Sequence, residues 1–283
     1  MSEKLELLKQ ALRICAPDGH FALAFSGGLD SRFLAHCAKI FSYAVHLLHI
    51  SGPHVSAHES IHARHWAQAN GFLFTQVHMD PLSAPLVAAG DKRRCYGCKH
   101  ALFSKLLQET GHPLCDGSNA SDGNAYRPGA QAARELGVLS PLAISGLDKN
   151  DIHRLAEQTG LDDPWQKARP CLLTRLPYGT QPNAVVLRSL DLGESAIRKC
   201  LEQARLPDVD FRLRLTSPDT LELHVLSADK PIFALLAWNE LITAIAKESP
   251  DLPAPRLVFL QTLSGYYDSQ AFPRAHVQHT ERP

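Results

Sequence analysis

The 283-residue sequence contains neither a G-x-x-x-x-G-K-[ST] stretch nor a G-x-G-x-x-G stretch. A Walker-type phosphate loop and the dinucleotide fingerprint are both excluded. An excess of charge is missing too, because 29 lysines and arginines balance 29 aspartates and glutamates. That balance creates no broad field for a polyanion, and no nucleic-acid partner is expected. No apolar run approaches the roughly 20 residues that cross a bilayer, so no membrane partner is expected either. The opening stretch MSEKLELLKQALRICA places Leu5, Leu8, Leu12 and Cys15 at helical spacing, and its charges interrupt it as no secretory leader would be. The seven cysteines are odd in number and scattered, which points to a cytoplasmic chain with reduced thiols rather than a disulfide framework. C-x-x-C occurs at Cys95 and Cys98 without a second pair or a well-spaced histidine, so a zinc site is not expected.

What is present is ordinary for a globular chain, with 45% hydrophobic and 20% charged residues. The length suits two domains or a single large one. The most informative stretch is Phe21-Ala-Leu-Ala-Phe25 followed by Ser26-Gly27-Gly28-Leu29-Asp30-Ser31. The apolar run is long enough for a buried strand. The two glycines permit a left-handed turn and close approach to a ligand. Leu29, Phe33, Leu34 and Cys37 then fall at helical spacing. Strand, glycine turn and helix together aim unpaired backbone N–H groups into the turn, which makes an anion site suited to phosphate. Ser26 and Ser31 add hydroxyls. Asp30 is out of place beside phosphate unless a divalent cation lies between them, which marks it as a Mg²⁺ or water ligand.

A strand over 42–50, a helix over 58–70 and a strand over 72–79 follow, and a further strand over 112–116. This alternation predicts an α/β fold with a doubly wound parallel sheet. Ligands of such sheets lie at the carboxyl ends of the strands. Ser51 then sits near an adenine or ribose. Asp116-Gly117-Ser118-Asn119-Ala120-Ser121-Asp122 closes another strand, with Gly117, Asn119 and Asp122 as candidates for ribose, metal or substrate. A turn braced by Asx hydrogen bonds explains the same residues. The segment around Cys95 and Cys98 opens a helix, where Arg94 and Lys99 suit either packing or phosphate.

Between 164 and 180, Pro164, Pro170 and Pro177 preclude a long helix. Lys167, Arg169 and Arg175 surround Cys171 there; cations that close favour a thiolate nucleophile, and a loop cysteine without a role fits the same spacing. Beyond Pro182 the pattern gives a helix over 187–203, a hairpin over 211–215 and 220–226, a helix over 232–247 and a strand over 256–260, a small α+β domain. Arg212 and Arg214 share a face of their strand, as a solvated surface or as a paired anion clamp.

Four motifs in order, SGGLDS, RCYGCKxALF, DGSNASDxxxYRPG and PCLLTRLPYGT, resemble the LarE-type sacrificial sulfur transferases of the PP-loop ATP pyrophosphatase superfamily. The resemblance covers about residues 3–180 well and the C-terminal domain weakly. It implies a PP-loop domain over 1–180 and a substrate or oligomerisation domain over 181–268; the tail over 269–283 is expected to be poorly ordered because it is terminal. It also implies that ATP with Mg²⁺ adenylates a carboxylate of a nucleotide-like small molecule, a reaction of nickel-pincer nucleotide biosynthesis. Cys171 then attacks the acyl-adenylate and gives up its sulfur. The implied nucleotide ligands are Ser26, Gly27, Gly28, Asp30, Ser31, Ser51, Gly117 and Asn119, with Asp30 and Asp122 on the metal. Lys99, Arg175, Arg212 and Arg214 are the implied substrate ligands. Some members hold an iron–sulfur cluster on several cysteines; Cys171 and Cys200 lack an evident third ligand, and no cluster is expected. A homo-oligomer is expected. The chain departs from the family where a late arginine is replaced by Tyr267, which bears on the substrate more than on the reaction. A PP-loop synthetase or amidotransferase, or a tRNA-thiolating enzyme, is the competing assignment.

Overall fold

Phe21, Leu23 and Phe25 pack to one side of a sheet and Ala22 and Ala24 to the other, the period-two division that a strand imposes. The computed structural model describes residues 2–121, 128–167, 169–207 and 209–271. It divides into two compact units. The first runs through Leu173 and takes in Gln181–Leu187; the second comprises Thr174–Thr180 and the chain from Arg188 onward.

The first unit is built on four parallel strands, β1 (His20–Ala24), β2 (Ala44–Ser51), β3 (Leu73–His78) and β4 (Leu114–Asp116), in the order β3-β2-β1-β4. Both faces are covered. On one side lie the helices Glu3–Cys15, Leu29–Ile40, Ala57–Ala69 and Lys149–Gln158, contributing Leu12, Phe33, Leu34, Trp66 and Leu155 to a shared core. On the other lie Arg94–Gln108 and Pro128–Glu135, contributing Phe103, Leu106 and Ala132. Each fully buried leucine or phenylalanine is worth about 1.5–3 kcal/mol of transfer free energy. Such two-sided burial explains why the strands read as apolar runs. The fold is therefore α/β with a parallel sheet wound on both faces.

The chain steps from β1 out to β2 and β3, then returns to lay β4 against the free side of β1. The direction of winding reverses between β1 and β4. The Ser26–Ser31 turn and the Asp116–Asn119 loop leave the carboxyl ends of those two strands, where sheets of this kind open a crevice.

The second unit holds a separate small mixed sheet, β5 (Phe211–Ser217), β6 (Thr220–Leu226) and β7 (Arg256–Leu260). β5 and β6 form an antiparallel hairpin, and β7 joins β6 in parallel after the helix Trp238–Glu248. The helix expected over 232–247 is two helices, Lys230–Phe233 and Trp238–Glu248. No glycine or proline stands at 234–237 to announce the break. The helix Tyr266–Ala271 takes in the first residues of the expected tail, and 272–283 lie outside the described residues. No helix among the described residues is long and apolar enough to cross a membrane.

Candidate active site

The Ser26–Ser31 turn adopts the predicted form. Gly27 has φ +78°, and a Cβ there would stand 2.8 Å from Ala63 Cβ, so both conformation and space require glycine. The Ser31 hydroxyl donates to Gly28 O at 2.9 Å and lies 3.2 Å from Ser26 Oγ, which also accepts from Gly28 N–H. Gly117 passes over the first turn of the Leu29–Ile40 helix so closely that a Cβ would meet Ser31 N at 3.0 Å. Ser51 ends β2 on the same edge of the sheet and is half-buried.

Asp30 closes a hydrogen-bonded circuit across this crevice. Its Oδ1 accepts from Lys149 Nζ at 2.6 Å and its Oδ2 from Asn119 Nδ2 at 3.3 Å. Asn119 Oδ1 accepts from Ser121 N–H, and Ser121 Oγ accepts from Lys149 N–H. Lys149 was absent from the sequence-based candidates. Its signal was the capping pattern Asp148 to Asp151 that starts its helix, but nothing local ties that start to residue 30. Asp122 and the following Tyr126 and Arg127 lie outside the described residues.

The loop that carries Cys171 is tied to the same turn. Arg32 is fully buried and donates through Nε to Gln166 Oε1, through Nη1 to Asp162 O and Oδ2, and through Nη2 to Asp163 O, at 3.0–3.1 Å. Gln166 Nε2 in turn donates to Gly27 O at 3.2 Å. Further on, Arg169 pairs with Glu59 at 3.0 Å, and Leu172 N–H donates to His54 O at 2.9 Å. Burial opposes ionisation of Glu59, yet His58 and Arg169 outweigh it and hold the carboxyl down at about 2. Cys171 is therefore suspended between Arg169 and the main chain of His54. Lys167 is exposed.

The C-x-x-C pair belongs to this neighbourhood. Cys95 and Cys98 lie on adjacent turns of the Arg94–Gln108 helix. Burial pushes the Cys98 thiol up to about 12, with Cys171 and Cys95 adding to the shift and the Lys99 ammonium opposing it. Lys99 Nζ stands 5.0 Å over the Phe103 ring. His54 is 3% exposed, and its Nδ1 has no hydrogen-bond partner among the described residues. Burial pushes its pKa down to about 4, against the pull of Asp80 and with the help of Lys99.

Within the second unit, Arg212 and Arg214 are 6% and 3% exposed, so their face of β5 is not a solvated surface. Arg175 clasps Glu194 through Nε at 2.7 Å and Nη2 at 3.0 Å. Arg198 approaches the same carboxylate at 3.6 Å. Burial disfavours a charged Glu194, but Arg175 and then Arg198 reverse that and hold it below the usual carboxylate range. Arg214 donates to His224 Nδ1 at 2.6 Å and to Leu263 O, and its guanidinium stands 4.8 Å from the Tyr266 ring centroid. His224 Nδ1 thus accepts, and its Nε2–H donates to Glu222. Burial, and next Arg175, push Arg214 down to about 10. Arg198 Nη1 and Arg214 Nε have no hydrogen-bond partner among the described residues.

No family model matches the chain. An uncharacterized protein of Synechocystis sp., slr1717, is 33% identical to it over 185 residues, 62% of this chain and 68% of that protein. The chain belongs to the family of that protein. A second uncharacterized relative, MJ0830 of Methanocaldococcus jannaschii, is 24% identical over 209 residues, 71% of this chain and 79% of that protein. The pyridinium-3,5-bisthiocarboxylic acid mononucleotide synthase of Lactiplantibacillus plantarum is 28% identical over 165 residues, 56% of this chain and 59% of the synthase. The last likeness is a partial sequence similarity to a LarE-type synthase.

Of the expected site residues, Ser26, Gly27, Gly28, Asp30, Ser31, Gly117 and Asn119 meet at one crevice, with Ser51 on the same sheet edge. Lys99 and Cys171 both act on Cys98. Arg175, Arg212 and Arg214 form a buried group of their own within the second unit.

Proposed function

We propose that the chain is an ATP-dependent sulfur transferase that adenylates a substrate carboxylate and supplies sulfur from Cys171. The observation that carries this is the tether between turn and thiol loop: Gln166 on Gly27 O, Arg32 on the 162–166 segment, and His54 O on Leu172 N–H. A nucleophile meant for an acyl-adenylate has to stand beside the nucleotide, and holding it there by fixed contacts lowers the entropic part of the barrier. In the first step a carboxylate oxygen bonds to Pα and the Pα–O bond to pyrophosphate breaks, its pair leaving with pyrophosphate. The turn's amides and hydroxyls hold phosphate oxygens. The Cys171 sulfur then attacks the acyl carbon and AMP departs. Loss of the α-proton of residue 171 to a base forms the Cα=Cβ bond as Cβ–S breaks. The product leaves as a thiocarboxylate and dehydroalanine remains.

Asp30 suits Mg²⁺ chemically, because this ion is held by one or two carboxylates and otherwise by phosphate and water oxygens. Mg²⁺ bound there would neutralise phosphate charge. In the second unit the guanidiniums of Arg175, Arg198 and Arg212 gather around the carboxylate of Glu194, with Asp210 3.7 Å from Arg212, while Arg214 rests on His224 and Leu263 O. That surplus of positive charge, with two N–H groups unpartnered, supports Arg212 and Arg214 as the subsite for an anionic substrate group. We also propose that Lys99 and Arg175 serve the substrate, and that the chain works as a cytoplasmic homo-oligomer.

The test is mass spectrometry of the peptide containing residue 171 after turnover with ATP and a pyridinium dicarboxylate mononucleotide. The expected result is a loss of about 34 Da, the elements of H₂S, with alkylation of Cys171 blocking it. Cys171→Ser should still release pyrophosphate yet form no thiocarboxylate. An unchanged peptide after many turnovers, with external sulfide found in the product, would refute sacrifice. The proximity of Cys95 and Cys98 favours that outcome as the second reading, in which the thiol is recharged.

A further inference from the structure

Phosphate recognition normally includes a cation from the protein, and the Ser26–Ser31 turn contains none. Arg32, which follows it, is fully buried and engaged by Gln166, Asp162 and Asp163. Among the described residues, the fold brings the ammonium of Lys149 to the turn, with Nζ 2.6 Å from Asp30 Oδ1. Its position is electrostatically unfavourable for a merely structural lysine. It opens the helix Lys149–Gln158, where the macrodipole repels positive charge and favours negative. The helix does not depend on it, because Asp148 and Asp151 complete a capping box around its start. Asn119 and Ser121 anchor both ends of the pair, one on Asp30 and the other on Lys149 N–H. The side chains of Lys149 and Asp30 are 39% and 27% exposed. The ammonium is accessible, and in water the pair is worth little to stability.

We propose that Lys149 is the phosphate-binding cation of this site, donating its ammonium to a nucleotide phosphate oxygen while Asp30 and Asn119 aim it. The inference rests on the ATP reading above. Bond making at Pα by the substrate carboxylate and bond breaking toward pyrophosphate accumulate negative charge on phosphate oxygens, and a fixed ammonium stabilises it there. Lys149 transfers no proton in this step.

Lys149→Ala should lower pyrophosphate release by about 10²–10³-fold, the range for removing a single transition-state donor. Its thermal midpoint without nucleotide should stay near that of the unaltered chain. Lys149→Arg should recover part of the rate. Added ethylammonium should restore part of the Lys149→Ala rate in a saturable way, which a structural role would not allow. Should Lys149→Ala fail to fold by circular dichroism, Lys149→Gln, which keeps most of the stem, carries the same measurements. A Lys149→Ala rate within threefold of the unaltered chain, or no response to the amine, would overturn the proposal and leave Lys149 as a counter-ion of Asp30. The two readings fail separately: an unaltered chain that forms no AMP and pyrophosphate from ATP removes the ATP reading itself, and this inference with it.

Discussion

The two units use charge in opposite ways. In the first, Asp30 and Lys149 meet at a rim where water reaches both, with side chains 27% and 39% exposed. In the second, Arg175 and Glu194 meet at 3% and 1%. The first pair is screened and contributes little to folding. The second exists at the expense of two desolvated ions, and its bidentate geometry is what offsets that. A charge kept in water stays available to a ligand, while a charge taken out of water is committed to the fold.

The largest expected effect is therefore in the second unit. Glu194→Gln leaves the buried Arg175 guanidinium without its counter-charge and should destabilise that unit by about 3–5 kcal/mol. Urea unfolding measures it, and a loss under about 1 kcal/mol would erase the contrast between the two pairs.

A somewhat smaller effect belongs to His54 in the first unit. Its folded pKa near 4 lies below the unfolded value of 6.5, so the unfolded chain binds more protons between those values. The stability held by its neutral form is complete above pH 6.5 and is lost as pH falls toward 4, about 3 kcal/mol in all. His54→Asn should flatten that part of the stability profile. A slope unchanged between pH 6.5 and 4 in the variant would assign the acid sensitivity elsewhere.

The smallest effect on stability, and the largest functional contrast, is Asp30→Asn. It should shift unfolding by no more than about 1 kcal/mol while abolishing pyrophosphate release. Pyrophosphate production at the unaltered rate would place Asp30 with the structural charges after all.

The strands β1 to β4 and the Ser26–Ser31 turn were legible because their signals are local. Phe21 to Phe25 is apolar throughout since both of its faces are covered, and Gly27 is glycine because of its own φ and its contact with Ala63. Arg32 was not legible. It follows the turn at a position that reads as an ordinary helical arginine, and its burial depends on residues 162–166, more than a hundred positions away. Arg212 and Arg214 obeyed the period of two, but the pattern left open whether their face of β5 meets water. The packing of Arg175, Glu194 and Tyr266 around them shows that it does not.

By itself, the sequence determined the parallel α/β sheet, the glycine turn at the end of β1 and the candidacy of Asp30 and Cys171, since strand period, turn chemistry and residue type are properties of neighbours along the chain. The tertiary structure alone decided that Lys149 answers Asp30, that Gln166 joins the thiol loop to Gly27, and that Cys98 feels Cys171. The physical reason is that charge, hydrogen bonding and desolvation act through space. The winding that reverses between β1 and β4 brings to one edge residues that no spacing in the chain relates.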